Sequence, residues 1–102
     1  MTLVQVTARA RADLGAIGRW TLKEWGEAPM RAYLHAMSER FDWLAQNPQR
    51  GRERSDVGPG YRCFPEGRHV VFYVILAEGI AIIGIPHQAM DVEGFFAGGG
   101  GL

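Results

Sequence analysis

The sequence predicts an α+β fold, β-α-α-β-β-β, with a helical hairpin packed on a small, mostly antiparallel sheet. Three observations predict it. Between Ala8 and Leu44, apolar residues recur at helical spacing in two segments parted by Gly26. Between Gly60 and Pro86, three β-rich runs are parted by Glu66-Gly67 and Glu78-Gly79, the separations of hairpin turns. The change of period happens once, without repeats, in a chain of 102 residues, a length suited to one domain.

Leu3 to Val6 alternate as a short strand, and Thr7 is placed to cap the helix that follows, with Asp13 early in it. Ala10, Leu14, Ile17, Thr21 and Trp25 then form one stripe, with Arg11, Arg19 and Lys23 off it. Gly26 ends this helix, and Pro29 suits the first turn of the next. The second helix carries Met30, Leu34, Met37, Phe41 and Leu44 on one face and must stop near Asn47-Pro48, because the residue before proline disfavours helix. So short a link implies an antiparallel pair. Strands are expected at Gly60–Pro65, His69–Ala77 and Ile80–Pro86. The apolar run Ile80 to Ile85 marks a strand covered on both faces and central to the sheet. HQAMDVEGFF suits a short final helix or turn. The domain is expected to span residues 1–97, with 98–102 a flexible glycine-rich tail.

Composition narrows the chemistry. With 47% hydrophobic residues, the chain fills one core but has no room for a separate cofactor domain, and no cofactor is expected. Eleven basic residues balance eleven acidic ones, so the molecule as a whole does not attract polyanions. Ten of the eleven cations are Arg, the better fork for carboxylate and phosphate. Cys63 is the single cysteine, which excludes an internal disulfide and a multi-thiolate metal site, and its strand position suits a small buried hydrophobe. The N-terminus lacks a signal core, and no apolar run reaches the roughly 18–20 residues that span a bilayer, so a soluble, cytoplasmic protein with no membrane role is expected.

Nucleophilic chemistry is poorly supplied. Ser38 and Ser55 lie in no Gly-flanked elbow. Cys63 and His69 could face each other across a hairpin, although a buried thiol beside a structural imidazole is the simpler reading. His35, His69 and His87 fall on three elements without metal-ligand spacing, so no metal is expected. GPGYR lacks the Lys-Ser/Thr ending of a phosphate loop. What remains surrounds Arg50, Arg52, Arg54, Arg62, Arg68, His69 and His87. A ribonuclease needs a base, a cationic clamp and an acid, and Arg62, Arg68, His69 and His87 could supply them. Against this, Arg50, Arg52 and Arg54 could form a solvated loop, with Arg62 and Arg68 cross-strand partners of Glu66 and Glu78. Trp43 lies about half a turn from the apolar stripe of the second helix, beside Ala32 and Ala36. It is either an anchor for a partner helix or the cover of a loop.

The stretches ADLGAIGRWTLKEWG, FDWLAQNPQRGR, GYRCFPEGRHVVFY and IIGIPHQAMD, in this order, resemble the ParE toxins of the RelE/ParE toxin–antitoxin superfamily. The resemblance covers nearly the whole chain before the glycine tail. It implies the same β-α-α-β-β-β core and a bacterial toxin held in a hetero-oligomer by a ParD-type antitoxin. Operator DNA is then reached only through the antitoxin, and DNA gyrase is the implied target. The related RelE branch instead cuts messenger RNA on the ribosome. Nucleases of that kind tend to carry Arg after the His of H-x-x-x-Y and an aromatic after the terminal His, where this chain has Val70 and Gln88. The ParE side is therefore favoured, as an inhibitor that binds rather than an enzyme. Many ParE relatives also carry three cations where this chain has Val74, Gly84 and Ala89, a departure that bears on target and toxicity. Antitoxin tails are acidic and amphipathic, so Arg50, Arg52 and Arg54 would steer them, and grooves beside Trp20 and Trp43 would take their apolar side chains.

Overall fold

The computed structural model describes residues 3–99. Strand β1 (Leu3–Val6) leads into helices α1 (Ala8–Trp25) and α2 (Glu27–Gln46), and a 3₁₀ turn at Pro48–Arg50 precedes a two-residue strand, β2 (Arg52–Glu53). Strands β3 (Arg62–Glu66), β4 (His69–Leu76) and β5 (Gly79–Gly84) follow, then helix α3 (Val92–Gly99). The sheet order is β1-β5-β4-β3-β2, antiparallel except where β1 runs parallel to β5.

The local signals act as expected at most boundaries. Thr7 Oγ1 accepts the Ala10 N–H at 3.2 Å, the N-cap bond, while its hydroxyl donates to Ile82 O at 3.0 Å. Asp13 does not serve the helix start. Its Oδ2 accepts the Ile85 N–H at 2.9 Å and ties α1 to the exit of β5. Gly26, at φ 95°, breaks the chain between the two helices. Residues 52–53, expected as loop, pair with β3, a strand too short to show a period. Strand β5 is interior but not central. It lies between β1 and β4, and β4 is the middle strand. Gly98 and Gly99, the first residues of the expected tail, belong to α3, and residues 100–102 lie outside the described residues.

The core forms on both faces of the sheet. On one face Met37, Phe41, Leu44 and Ala45 of α2 and Ala10 and Ile17 of α1 bury Val71, Tyr73, Ile80 and Ile82. Trp25, expected in this stripe, is 59% exposed, because α1 makes its last buried contact at Thr21, one turn earlier. On the opposite face Cys63, Phe72 and Ile83 pack against Phe96 of α3. The register explains how β5 serves this second face. Tyr73 pairs with Ile82 and Phe72 with Gly84, so Ile83 is the extra residue of a bulge. Arg9 clamps α3 from the helix layer. Its guanidinium lies 3.9 Å from the Phe95 ring centre and donates to Phe95 O at 2.8 Å.

Two close approaches hold the ends of this frame. The buried Tyr73 hydroxyl donates to Pro48 O at 2.7 Å and accepts the Gly51 N–H at 2.8 Å, fixing the chain between α2 and β2. A Cβ at Gly51 would collide with the Tyr73 ring. Tyr73→Phe strands a buried donor and a buried acceptor, and is expected to cost about 1–3 kcal/mol in urea denaturation. At the other end, a Cβ on Gly84 would stand 2.9 Å from Phe96 and 3.0 Å from Phe95. Gly84→Val is expected to release α3, with amide protection over Val92–Ala97 falling tenfold or more in hydrogen exchange while Phe72 and Ile82 stay protected.

Candidate functional site

The outer half of α1, the start of α2 and the segment leaving β5 enclose a groove of about 420 Å³. Its walls are largely apolar: Ala16, Ile17, Trp20, Trp25, Pro29 and Met90. Trp20 is 51% and Trp25 59% exposed. Two half-bare indoles beside one groove leave apolar area that a folded chain normally covers. Trp25 stays bare because it lies a turn beyond Thr21, the last buried residue of α1, and Trp20 because it stands off the stripe of Ala10, Ile17 and Thr21 that faces the core.

The floor of the groove is polar. Tyr33, on α2, reaches the β3–β4 turn, where its hydroxyl accepts the Arg68 N–H at 2.8 Å and meets His69 Nδ1 at 2.7 Å. The turn is shaped to receive it. Gly67 has φ 59°, and a Cβ there would strike the Tyr33 ring. Burial raises the Tyr33 pKa. The strand pairing extends past β5: Val70 N–H donates to Pro86 O at 2.9 Å and Gln88 N–H to Arg68 O at 2.8 Å, which brings His87 opposite His69. The two imidazoles meet edge to face with centres 5.4 Å apart. Burial, and secondarily the nearby His87, lower the His69 pKa from its usual value.

The residues proposed for an acid–base site therefore divide. Arg68, His69 and His87 share the groove, whereas Arg62 does not. Arg62 pairs across the sheet with Tyr73 and His69 with Glu66, so about 13 Å of strand separates them. The Arg62 guanidinium donates to Gly51 O at 2.7 Å and Gln49 Oε1 at 3.0 Å and sits 3.5 Å from Glu53, so it staples the loop. The expected ion pairs differ as well. Glu66 pairs with Arg40 at 2.8 Å, and Arg68 has no ion pair among the described residues. Cys63 lies opposite Phe72 and is buried under α3, so it does not face His69.

The residues expected to meet a partner fall on two patches. Trp20 lines the groove. Trp43 lies ten residues after Tyr33, about 15 Å along α2, where it is half-buried against Phe64 at 5.1 Å between centres. Arg40 stands over its ring at 4.7 Å and Arg50 at 5.9 Å. Arg50 and Arg52 are exposed without an ion pair among the described residues. Arg54 is engaged: its guanidinium grips Asp56 at 3.0 Å, a hydrogen bond that raises the arginine pKa and lowers that of the carboxyl. Sequence reasoning missed Trp25 and Tyr33. For Tyr33 the available signal was its place beside Leu34 on the apolar stripe, but the turn it reaches lies 35 residues further on.

The cations absent at Val74 and Gly84 also have a structural counterpart. Both positions face α3, where Val74 packs with Phe72, Ile83 and Phe96, and Gly84 leaves room for the two phenyl rings. Ala89 is exposed on the segment after His87. No helix among the described residues is long and apolar enough to cross a membrane.

Comparisons with known proteins agree on one family. Residues 4–92 match the family model described as the ParE toxin of the type II toxin–antitoxin system parDE. Toxin ParE1 of Mycobacterium tuberculosis is 36% identical over 85 residues, 82% of this chain and 87% of that protein. Toxin ParE of Escherichia coli is 33% identical over 93 residues, 90% of each. Among solved structures, a chain of the chromosomal ParDE system from P. aeruginosa superposes with a TM-score of 0.72 at 22% identity, covering 85% of this chain and 96% of that one, which attests the fold. A match across nearly the whole folded domain, over the helix pair and sheet just described, establishes that the chain belongs to the ParE toxin family of type II toxin–antitoxin systems.

Proposed function

We propose that this toxin arrests growth by binding DNA gyrase, with no hydrolytic chemistry of its own, and that a ParD-type antitoxin neutralises it by laying an acidic, amphipathic tail across the groove and the arginine loop. The observation that carries the antitoxin half is the groove with Trp20 and Trp25 bare along its walls. Large aromatic side chains standing beside a concave apolar surface are what a folding peptide segment anchors on. Trp43 and Arg50 supply a second, shallower patch, and Arg50 and Arg52 remain free to attract acidic residues at long range. Arg54 contributes less, since Asp56 already offsets its charge.

Gyrase as target rests on family membership together with the poor supply of catalytic groups. A nuclease working at His69 and His87 would have one nearby cation, Arg68, because Arg62 is spent on the loop about 13 Å away. Val70 and Val74 pack towards α3 and offer nothing to a phosphate. The alternative, a ribosome-dependent endoribonuclease, is favoured by one feature, the convergence of Tyr33, His69, His87 and Arg68. Purified toxin tested in a gyrase supercoiling assay is expected to trap cleaved, linear DNA and to leave a ribosome-bound message intact. Mapped message fragments without linear DNA would reverse the assignment. For the partner, replacing Arg50, Arg52 and Arg54 together with Ala is expected to slow antitoxin association several-fold at low salt and to flatten its salt dependence, read by stopped-flow fluorescence of the tryptophans. An unchanged on-rate at low salt removes the steering role.

A further inference from the structure

The two imidazoles on the groove floor have their protons assigned by their neighbours. The Tyr33 hydroxyl already accepts the Arg68 N–H, so its own proton goes to His69 Nδ1 at 2.7 Å rather than to Glu66 O at 3.3 Å. With Nδ1 accepting, the neutral His69 ring carries its proton on Nε2. His87 is fixed the same way, because its Nδ1 accepts the Ala89 N–H at 3.1 Å. Neither Nε2 has a partner within the described residues, and no buried side-chain nitrogen or oxygen there lacks one, so both are open to solvent on rings that line the groove. Arg68 adds a guanidinium beside them. The single acidic group lining the groove, Asp13, is turned to the Ile85 N–H and to Arg9. The floor thus offers donors from three side chains with no free acceptor among them.

We infer that this corner is a carboxylate subsite, in which an Asp or Glu of the antitoxin tail is held by His69 Nε2–H, His87 Nε2–H and the Arg68 guanidinium, with the apolar neighbours of that acid lying against Trp20 and Trp25. The inference rests on the antitoxin pairing proposed above and deepens it. A peptide carboxylate suits the site better than a nucleic-acid phosphate, because the walls are apolar, one cation is at hand, and the chain as a whole is electrically neutral.

Such a subsite links binding to protons. The charged and titratable groups around His69 are Asp13 from α1, Tyr33 from α2, Glu66 and Arg68 at the β3–β4 turn, and His87 after β5. Glu66 is held by Arg40, so it does not neutralise a charge on His69. In the free toxin burial disfavours the His69 imidazolium, whereas a carboxylate at Nε2 favours it. When Nδ1 gains its proton, the Tyr33 hydroxyl becomes its acceptor and turns its own proton to Glu66 O, so the network exchanges one donor for another without losing a bond. The complex then binds more protons than its separated parts, and affinity rises as pH falls, by at most about tenfold per unit for one proton. The peptide carboxylate stays ionised above about pH 5, which sets the lower edge of the window.

The test is calorimetric titration of the full-length toxin with the antitoxin encoded beside it, from pH 7.5 to 5.5, in two buffers of different ionisation heat. Proton uptake on binding is expected, with Kd falling about three- to tenfold over the range. His69→Gln should abolish the uptake while keeping the complex. His87→Ala and Arg68→Ala should each weaken binding about tenfold or more. Normal tight binding with no proton uptake, or with both of the latter variants unaffected, overturns the subsite but leaves the pairing intact. Failure of the wild-type toxin to bind the antitoxin at all overturns both. A ten-nucleotide oligoadenylate that displaces the antitoxin, while inorganic phosphate at the same charge does not, would assign the corner to RNA instead.

Discussion

The Tyr33 hydroxyl organises the groove end of the molecule. It joins α2, the β3–β4 turn and the histidine floor, through Arg68 N–H, Glu66 O and His69 Nδ1. A phenol has one proton and two lone pairs, so its partners' roles are not independent. Accepting from Arg68 frees the proton for His69, which in turn sets which face of that imidazole looks outward. The turn accepts this peg only because residue 67 is a glycine, both for its left-handed φ and for the space the ring occupies. Sheet geometry, helix placement and ring tautomer thus meet at one oxygen.

A second tyrosine does the corresponding work at the far end. Tyr73 passes through the core from β4 and holds Pro48 O and Gly51 N–H, and Arg62 binds the same loop from β3. Sheet and helices are therefore pinned at two places by side chains that are mostly ring and end in one polar atom. Tyrosine is well suited to pinning, because the ring is buried at a gain and the hydroxyl satisfies backbone groups that no ladder or helix can reach. Arg62 illustrates the cost of judging function by residue type. Its sequence neighbours suggest a phosphate clamp, yet its donors are consumed by carbonyls of its own chain.

Where the sequence was readable and where it was not follows from range. Both long helices and four of the five strands announce themselves through period, because each element buries one face or two against a layer. Thr7 and Gly26 act locally and were legible too. Strand β2 is two residues long and has no period to read. Trp25 falls in phase with the buried stripe, and a helical wheel cannot say that the sheet ends a turn before it does. Asp13 looked like a helix-start carboxylate, but it answers an N–H 72 residues away. His69 and His87 were visible as candidates, and their meeting depends on the pairing that continues beyond β5. The resemblance to a family supplied the kind of partner and agreed with the order of elements read from period, whereas the bare indole pair and the Tyr33 peg emerge only from the packing.

The second face of the sheet explains how this chain departs from the cationic pattern of its relatives. A helix carrying adjacent phenylalanines can settle on a strand only where the strand is small, and Gly84 provides that place. Val74 extends the same apolar floor, so a guanidinium at either position would have to be buried under aromatic rings or displace them. Arg9 supplies a cation to this layer, where it holds Phe95 by its ring and its carbonyl, and Arg54 lies over Phe72 from the loop side at 5.8 Å. Exposed positive charge without an ion pair among the described residues lies off the covered face, on Arg50 and Arg52 at one end of the helix layer, on Arg11, Arg19 and Lys23 along α1, and on Arg68 at the other end. Between them lies Trp43, and beside Arg68 lie Trp20 and Trp25. A ligand long enough to use both ends must run along the helices, which is a geometry for an extended polypeptide and a poor one for a small substrate.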